Sequence, residues 1–358
     1  MAEGSPFGQR PEDDYPVLEP PADEPGFGEN HAFWLVFDDG SGYVNAHLNS
    51  IDSFWPLRRE AITVCLPDGD ALVEMNEGWG TSRDTIASGG MRARCIEPMR
   101  RWRLAYKGTM RETTQEHLAR ALLPDGEGNR VIVDWEADVI CDPPPFRQGA
   151  TNAAWQALQQ SSGLGYLGGA RYEQLCRATG RLRVHGGREF DFAATGIRTH
   201  RAGVRRMTQM LRSDWQTALF PDGSGFGLMR LRGEDGSVEW EEARILRDGQ
   251  LHPAQILTDN WVTRREIAGD RMSIRLESDL GLAQIEGEIA CSIFRGISMT
   301  PAGPGVKSRG PLDRTFGFET AGGRTLVLQQ SGARYTMSGM TTHGVCERHN
   351  FADEFDTA

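Results

Sequence analysis

The chain has 358 residues and a formal net charge of −11, with 50 acidic side chains against 39 from Lys and Arg. This balance argues against a nucleic-acid-binding protein, because no basic face is available to neutralise phosphates. No apolar run approaches the roughly 18 residues of a membrane-spanning helix, and the length is that of two ordinary domains.

The first 29 residues are rich in proline and acidic side chains. Such a segment buries too little apolar surface to offset the entropy of ordering, so residues 1–29 are predicted to be a disordered acidic arm, flexible or draped. The segment also lacks the apolar core of a signal peptide. The six cysteines are scattered singly with no CxxC pair. That pattern is typical of reduced thiols, and we expect a cytoplasmic protein.

Short strands separated by tight turns follow in order. The ranges 31–49 and 61–77 each consist of two apolar runs around a turn, which is the pattern of a β-hairpin. Apolar and polar residues then alternate within 91–111 and 130–141, the period of half-buried antiparallel strands. Residues 151–160 form the best short helix of the sequence.

Three more Asp-Gly turns separate short strands after residue 206. Evenly spaced short strands of this kind close into antiparallel barrels, which leave no exposed edge. The pattern predicts an all-β protein with two consecutive antiparallel β-barrels and few short helices. The first barrel is expected to span residues 30–190 and the second residues 191–358.

The stretch from Arg171 to Arg206 is predicted to join the two barrels. It consists of a strand, a turn at Gly186-Gly187, and a second strand that ends in a burst of cations. The cationic residues of that burst are Arg198, Arg201, Arg205 and Arg206, with His200 among them. An acidic chain that gathers cations in one place predicts a local role for them, and we expect this seam to form a wall of a ligand site.

Three features of the sequence resemble the hydroxyneurosporene synthase (carotenoid 1,2-hydratase) superfamily. They are the opening His31-Ala-Phe-Trp34, the Tyr172-Glu-Gln lead-in to a strand, and the run Gly196-Ile-Arg-Thr-His-Arg-Ala-Gly-Val-Arg205. In relatives the last run is similar to G-x-R-D-H-S-W-G-x-R and lies at the domain seam. The resemblance covers about residues 30–350. It implies two lipocalin-like β-barrels, and its members include hydratases and Diels–Alderase-type cyclases.

The run departs from the family pattern at three positions. Gly196, Arg198, His200, Gly203 and Arg205 match, whereas the family's Asp, Ser and Trp are replaced by Thr199, Arg201 and Ala202. An acidic side chain beside the substrate is a natural proton donor for a hydratase. Its replacement by threonine leaves two alternatives open: another group supplies the acid, or the pocket does something else.

Adding water to an alkene or cyclising a polyene needs a proton donor in an apolar pocket and a group that tolerates a developing cation. A buried carboxylic acid keeps its proton because burial raises its pKa, and aromatic faces attract cations. The candidate catalytic residues are His200, Asp214 and Glu173. The candidate substrate-binding residues are Arg198, Arg205, Trp34, Tyr172 and Trp215.

Each candidate also has a structural interpretation. The histidine and arginines of the seam could satisfy buried carbonyls and carboxylates, and Trp34 and Trp215 could be plain core residues. The arginines could instead bind a carboxylate or phosphate of a ligand through paired hydrogen bonds, or form ion pairs with the many acidic residues.

The metal and nucleotide motifs of the sequence are weak. His343, Glu347 and His349 share one face of a predicted strand and form a conceivable ligand set, but no metal site is predicted. His31 and His47 could face each other without a third ligand. The spacing GxGxxG at residues 163–168 follows a helix and opens no βαβ unit, so it is not a dinucleotide site.

Two functions are consistent with these features of the sequence. The first is a cofactor-independent lyase (hydratase), isomerase or cyclase that acts by acid/base chemistry on a hydrophobic, isoprenoid- or steroid-like molecule in a pocket at the barrel seam. The second is a non-catalytic lipocalin-type carrier of such a molecule. Neither involves nucleic acid, a cofactor or insertion into a membrane, and the oligomeric state is left open.

Overall fold

The computed structural model describes residues 8–24, 27–50, 54–121, 129–149, 170–204, 212–233, 235–297 and 326–356. Within these ranges the chain is almost entirely β structure, which confirms the predicted fold class. The helical segments there are the α-helix α1 (Gln115–Ala121) and two 3₁₀ turns, Pro11–Asp14 and Ala352–Glu354. None of the helices in the described ranges has the length and apolar character needed to cross a bilayer.

The strands, in chain order, are β1 (Phe27–Phe37), β2 (Tyr43–Ser50), β3 (Arg58–Cys65), β4 (Asp70–Gly78), β5 (Thr85–Ser88), β6 (Met91–Glu97), β7 (Arg101–Thr114), β8 (Arg130–Ile140), β9 (Phe146–Arg147), β10 (Ala170–Val184), β11 (Glu189–Val204), β12 (Arg212–Leu219), β13 (Gly225–Arg232), β14 (Val238–Arg247), β15 (Gln250–Ile256), β16 (Arg271–Ser278), β17 (Gly281–Ile297), β18 (Leu326–Met337) and β19 (Met340–Phe351).

The first barrel is a ring of eight antiparallel strands in the order β4-β3-β2-β1-β11-β10-β8-β7, closed by pairing of β4 with β7. β6 and β5 extend the sheet beyond β7, and β9 pairs with β10. Alternation along β1 places Phe33, Leu35 and Phe37 in the barrel core. The alternate residues Trp34 and Val36 belong to a second apolar cluster outside the barrel.

The second barrel is the closed ring β12 to β19, in which every strand pairs with its neighbours in sequence. Its interior is filled by a separate apolar cluster that includes Phe226, Leu228, Ile274 and Tyr335. The prediction of two consecutive antiparallel barrels is therefore confirmed.

The predicted boundary between the barrels, at residues 190 and 191, is wrong. β11 pairs with β1 from Ala194 to Val204 and also with β10, so the first barrel continues to Val204. The second barrel begins at Arg212. The cluster of cationic residues suggests a junction between domains, but it begins within β11, which is a strand of the first barrel between β1 and β10.

The two barrels are joined by a packed seam. Trp34, Val36 and Ile197 of the first barrel share an apolar cluster with residues of the second such as Ile293 and Val345. Polar contacts also cross the seam, as when the Tyr43 hydroxyl donates to the Gln330 carbonyl at 3.0 Å.

One glycine of the seam strand β11 is required by space. A Cβ at Gly196 would lie 1.9 Å from the carbonyl oxygen of Trp34 on the neighbouring strand β1. No side chain fits there, which accounts for the first glycine of the run that resembles the family motif.

Part of the predicted disordered arm is draped over the first barrel. The turn Pro11–Asp14 lies against the barrel end, and the Asp14 side chain is 0% exposed. Composition predicted disorder because this segment has few apolar residues, but the contact that holds it is an ion pair. The predicted helix at 151–160 and the glycine spacing at 163–168 lie outside the described residues.

Candidate functional site

Strand alternation sorts the predicted site residues onto two faces. Cys176 and Ala194 on β10 and β11 point into the first barrel, whereas Ile197 points to the seam. By the same alternation Arg198 and His200 face the interior of the first barrel. Residues adjacent in the sequence therefore face different places, one in the interior of the first barrel and one at the seam, and the predicted site residues do not line a single pocket.

A cavity of about 170 Å³ lies in the seam between the barrels. The first barrel contributes Asn30, Ala32, Trp34, Asn45, His47, Asn49, Arg171, Ile197, Thr199 and Arg201, and the second contributes Trp215, Met229 and Glu347. Two predicted residues meet here: the rings of Trp34 and Trp215 are edge to face, with centroids 6.1 Å apart. The predicted catalytic residues are not in this lining.

Two proton-transfer groups line the seam cavity, one from each barrel. Burial lowers the pKa of His47 to about 4, so its imidazole is neutral near pH 7. Burial alone would raise the pKa of Glu347, but His349, Gln330 and His47 together outweigh burial and the pKa is lowered. Gln330 Nε2 also donates to Glu347 Oε2 at 3.1 Å. At neutral pH the cavity therefore offers a neutral imidazole and a carboxylate.

The seam cavity also contains polar atoms that have no protein partner among the described residues. Trp34 Nε1 and Asn45 Oδ1 are buried without a hydrogen bond. A buried polar group left unpaired costs about 1–3 kcal/mol. These two atoms are available to a ligand that carries hydrogen-bonding groups.

Glu173, a predicted proton donor, is an ion-pair residue beside the seam. Its carboxylate contacts Arg171 at 2.8 Å and Arg244 at 2.6 Å, and its side chain is 3% exposed. Burial raises its pKa, but the two arginines outweigh burial and lower it. Arg171 in turn lies over the Trp215 ring at 4.9 Å. Glu173 therefore holds a seam arginine in place and keeps its charge.

His200 lies inside the first barrel, in a group with Glu29 and His31. Its Nε2 is 2.9 Å from Glu29 Oε1, and its Nδ1 is 2.9 Å from the carbonyl oxygen of Asp13. His31 Nε2 lies 3.2 Å from the same Glu29 oxygen. Both nitrogens of His200 face acceptors, so both bonds form together only when the ring carries two protons.

The spacing of Glu29, His31 and His200 suggests a metal site, since their ligand atoms lie within 4.8 Å of one another. The geometry argues against it. The two imidazole rings are stacked, with centroids 3.7 Å and planes 20° apart. An imidazole binds a metal in the ring plane, and an ion about 2 Å from both nitrogens would lie well outside both planes. The arrangement fits two histidines bonded to one carboxylate.

Arg198 and Tyr172 also face the interior of the first barrel, where they hold Asp14. Arg198 Nη1 donates to Asp14 Oδ1 at 2.6 Å, and the Tyr172 hydroxyl donates to the same oxygen. Beside them lies a second cavity of about 320 Å³, bordered by Tyr172, His200 and the draped segment.

Asp214 lies in the interior of the second barrel, away from both cavities. Its carboxylate accepts a hydrogen bond from Gln216 Nε2 at 2.7 Å. Burial raises its pKa to about 6, although Arg348 and Arg230 on the adjacent strands partly oppose the shift. Its perturbed pKa follows from burial in the barrel core.

The remaining sequence candidates do not form a site among the described residues. Arg205 lies outside them. Glu347 and His349 are in contact at 3.4 Å, but His343 is bonded through Nδ1 to the Asp38 carbonyl at 2.8 Å. These three residues therefore do not converge on one point.

His47 and Glu347 are the functional candidates that sequence reasoning assigned no catalytic role. A signal for His47 exists on β2, where the polar residues Asn45, His47 and Asn49 alternate with Val44, Ala46 and Leu48. This period of two gives the strand one apolar face and one face of hydrogen-bonding groups. No such signal marks Glu347, because His47 and most of the residues that complete its cavity belong to the other barrel.

Comparisons with known proteins give a family and a fold. Residues 11–328 match a family described as a domain of unknown function, DUF7064. No curated protein matches the chain. A solved structure assigned as AttH from Nitrosomonas europaea is similar over 95% of both chains, with 14% identity and a TM-score of 0.54. That likeness shows a shared fold.

Two further solved structures are more distant. Kievitone hydratase from Nectria haematococca is 9% identical over 94% of this chain and 91% of its own, with a TM-score of 0.43. CghA with Sch210972 is 13% identical over 91% of this chain and 88% of its own, with a TM-score of 0.42. The family match covers most of the sequence, and the chain belongs to the DUF7064 family.

Proposed function

We propose that the chain is an enzyme that moves protons on a small molecule bound in the seam cavity, as a lyase of the hydratase type, an isomerase or a cyclase. The observation that carries the proposal is that His47 and Glu347, from opposite barrels, line one cavity together with Trp34 and Trp215. Acid/base chemistry of this kind needs no cofactor. A catalytic group with a perturbed pKa in a cavity is the expected signature.

Each group has a role that follows from its protonation. The Glu347 carboxylate accepts a proton from the substrate, and the neutral His47 imidazole accepts or relays one on the opposite wall. The indole faces of Trp34 and Trp215 attract positive charge that develops on carbon. A positioned acid or base of this kind increases the reaction rate by a factor of about 10² to 10⁴.

Glu347 also supplies the carboxyl group that the family motif has lost. Thr199, which stands where relatives have aspartate, borders the same cavity as Glu347. The carboxyl group would then have moved from β11 to β19 of the second barrel, where it first accepts a proton from the substrate and then returns it. This accounts for a motif that keeps its glycines and arginine but not its acidic residue.

The lining indicates the class of substrate. Trp34, Trp215 and Met229 offer an apolar surface to an isoprenoid- or steroid-like skeleton. Asn45 Oδ1 and Trp34 Nε1 are buried there without a partner in the described part of the chain, so the substrate carries a hydrogen-bonding group such as a hydroxyl as well. A purely hydrocarbon ligand would leave these two atoms unpaired.

A carrier is the second candidate. His200, the histidine of the motif, is fully engaged inside the first barrel, as expected of a structural residue. A carrier would use the seam cavity for binding only. Its proton-transfer groups would then be dispensable.

The test begins with native mass spectrometry of the purified chain and extraction of any bound molecule. That molecule, together with a panel of isoprenoid and steroid alkenes and alcohols, is then assayed for conversion. We expect Glu347→Gln to lower turnover about 10²- to 10⁴-fold while binding changes little. His343→Gln, on the same strand but outside the cavity, should retain full activity. Binding without conversion in the wild type would support the carrier instead.

A further inference from the structure

The open end of the first barrel contains a receptor for a carboxylate, filled by a residue of the chain itself. Asp14 Oδ1 accepts hydrogen bonds from Arg198 Nη1 at 2.6 Å and from the Tyr172 hydroxyl. Its Oδ2 accepts from the Met99 backbone amide at 2.6 Å and from Trp102 Nε1 at 3.2 Å. Four donors thus converge on one carboxylate.

The donors are positioned by the barrel and not by the segment that carries Asp14. Gln174 Oε1 accepts from Arg198 Nε at 3.1 Å and from Nη2 at 2.8 Å. The Gln174 amide nitrogen donates in turn to the carbonyls of Met99 at 2.8 Å and Pro143 at 2.7 Å. Preorganised donors of this kind bind a carboxylate without a cost of reorganisation.

The turn between β6 and β7 presents a backbone amide to the carboxylate. The Arg100 amide donates to the Glu97 carbonyl at 3.0 Å and closes this turn, in which Met99 has φ 61°. The Met99 amide is the one that donates to Asp14 Oδ2. A hairpin turn of the barrel therefore fixes this donor.

The receptor requires an anion. Arg198 is 1% exposed, and a buried guanidinium without a counter-charge is strongly destabilising. Burial raises the pKa of Asp14, but Arg198 and the hydrogen bonds outweigh it, and the pKa is lowered. Asp14 is therefore the anion that this pocket holds.

The rest of the draped segment is held by polar contacts of Asp13 and Val17 and by packing of Tyr15 against the core of the first barrel. Arg58 Nη2 donates to the Val17 carbonyl at 2.9 Å. The Asp13 carbonyl faces His200 Nδ1, and the Val17 amide donates to Glu29 Oε1 at 2.8 Å. Trp55 Nε1 donates to the Val17 carbonyl at 3.1 Å. The cavity of about 320 Å³ lies between this segment and the barrel, with space beside the receptor.

We infer that the mouth of the first barrel is a binding site for a small-molecule carboxylate, which Asp14 occupies in cis. The 320 Å³ cavity is lined by Tyr172 of the receptor and by the draped segment, and an external carboxylic acid that enters it reaches Arg198 and Met99 by displacing that segment. The lining of this cavity shares only Arg171 with that of the seam cavity, and the inference does not depend on the proposed reaction.

The test removes the resident carboxylate and supplies another. Asp14→Gly leaves Arg198 without its counter-ion, so the variant should have a lower Tm than the wild type. Acetate should restore most of the lost Tm in a saturable way, and chloride at equal ionic strength should not. The matched control is Asp13→Gly, whose carboxylate pairs with the exposed Arg10. If acetate raises the Tm of both variants equally, the inference is wrong.

A second measurement on the wild type covers the case in which Asp14→Gly does not fold. Octanoate should increase hydrogen exchange at the amides of residues 13, 14, 15 and 17, because the segment leaves when the acid binds. Octanol, which lacks the charge, should not do so. Unchanged exchange in saturating octanoate would overturn the inference.

Discussion

Trp34 of the first barrel and Trp215 of the second meet across the seam with ring centroids 6.1 Å apart and planes at 69°. They are 2% and 6% exposed. The contact both joins the barrels and forms the aromatic part of the seam cavity. The core-packing interpretation and the ligand-binding interpretation of these residues therefore both apply.

Trp34→Ala should lower the free energy of unfolding by about 3–5 kcal/mol, because it removes a fully buried aromatic ring and leaves a cavity. Urea unfolding monitored by circular dichroism measures the change. Trp79→Ala is the matched control, since that ring is 62% exposed. A loss below about 1 kcal/mol for Trp34→Ala would show that the seam contributes little to stability.

The stability of the protein should fall in acid through His31. Burial, and next the positive charge of His200, lower the pKa of His31 from 6.5 to about 4 in the folded chain. Folding lowers this pKa, so between pH 6.5 and pH 4 the His31 side chain is protonated in the unfolded chain and neutral in the folded chain. The folded state should lose about 3 kcal/mol over that window from this group.

His31→Gln cannot titrate and isolates this effect. The difference in unfolding free energy between wild type and variant should shrink by about 3 kcal/mol from pH 7 to pH 4. Chemical denaturation at several pH values measures it, with the exposed His117→Gln as the control. A difference independent of pH would mean that His31 does not titrate in this range.

Asp214→Asn should stabilise the protein at neutral pH. The pKa of this buried carboxyl is raised from 3.8 to about 6, so its ionised form destabilises the fold above pH 6. Asparagine keeps the hydrogen bond from Gln216 and removes the charge. We expect a gain of up to about 3 kcal/mol at pH 7 that disappears as the pH falls toward 4.

The control for this prediction is Asp191→Asn, whose side chain is 84% exposed. Destabilisation by Asp214→Asn would show that Arg348 and Arg230 make the carboxylate net favourable. Because Asp214 lies in neither cavity, the substitution should leave turnover unchanged.

Much of the fold could be predicted because β structure shows in local patterns. Period-two alternation and Asp-Gly turns give strands and hairpins, and the number of strands gives two barrels. The predicted boundary at residue 190 was wrong because β11 pairs with β1, which is distant in the sequence. In this pairing Trp34 lies opposite Ile197, 163 residues further along the chain. Local patterns contain no information on that pairing.

The site was harder to predict for the same reason. Thr199 and His200 are adjacent in the sequence, but a strand sends one to the seam and the other into the barrel. Asp14 reaches Arg198 across 184 residues, from a segment whose composition indicates disorder. His47 and Glu347 meet only because two barrels pack together. The sequence shows which residues have suitable side-chain chemistry, whereas only the structure shows which of them lie together in one site.

The central claim is that proton transfer takes place in the seam cavity. The most direct measurement is deuterium incorporation at carbon when the chain and its bound molecule are incubated in D₂O, followed by mass spectrometry of the extract. We predict incorporation by the wild type and by His343→Gln, and a loss of about 10²-fold or more in His47→Gln and in Glu347→Gln. Equal incorporation by all four proteins, or none by the wild type with its ligand bound, would contradict the account.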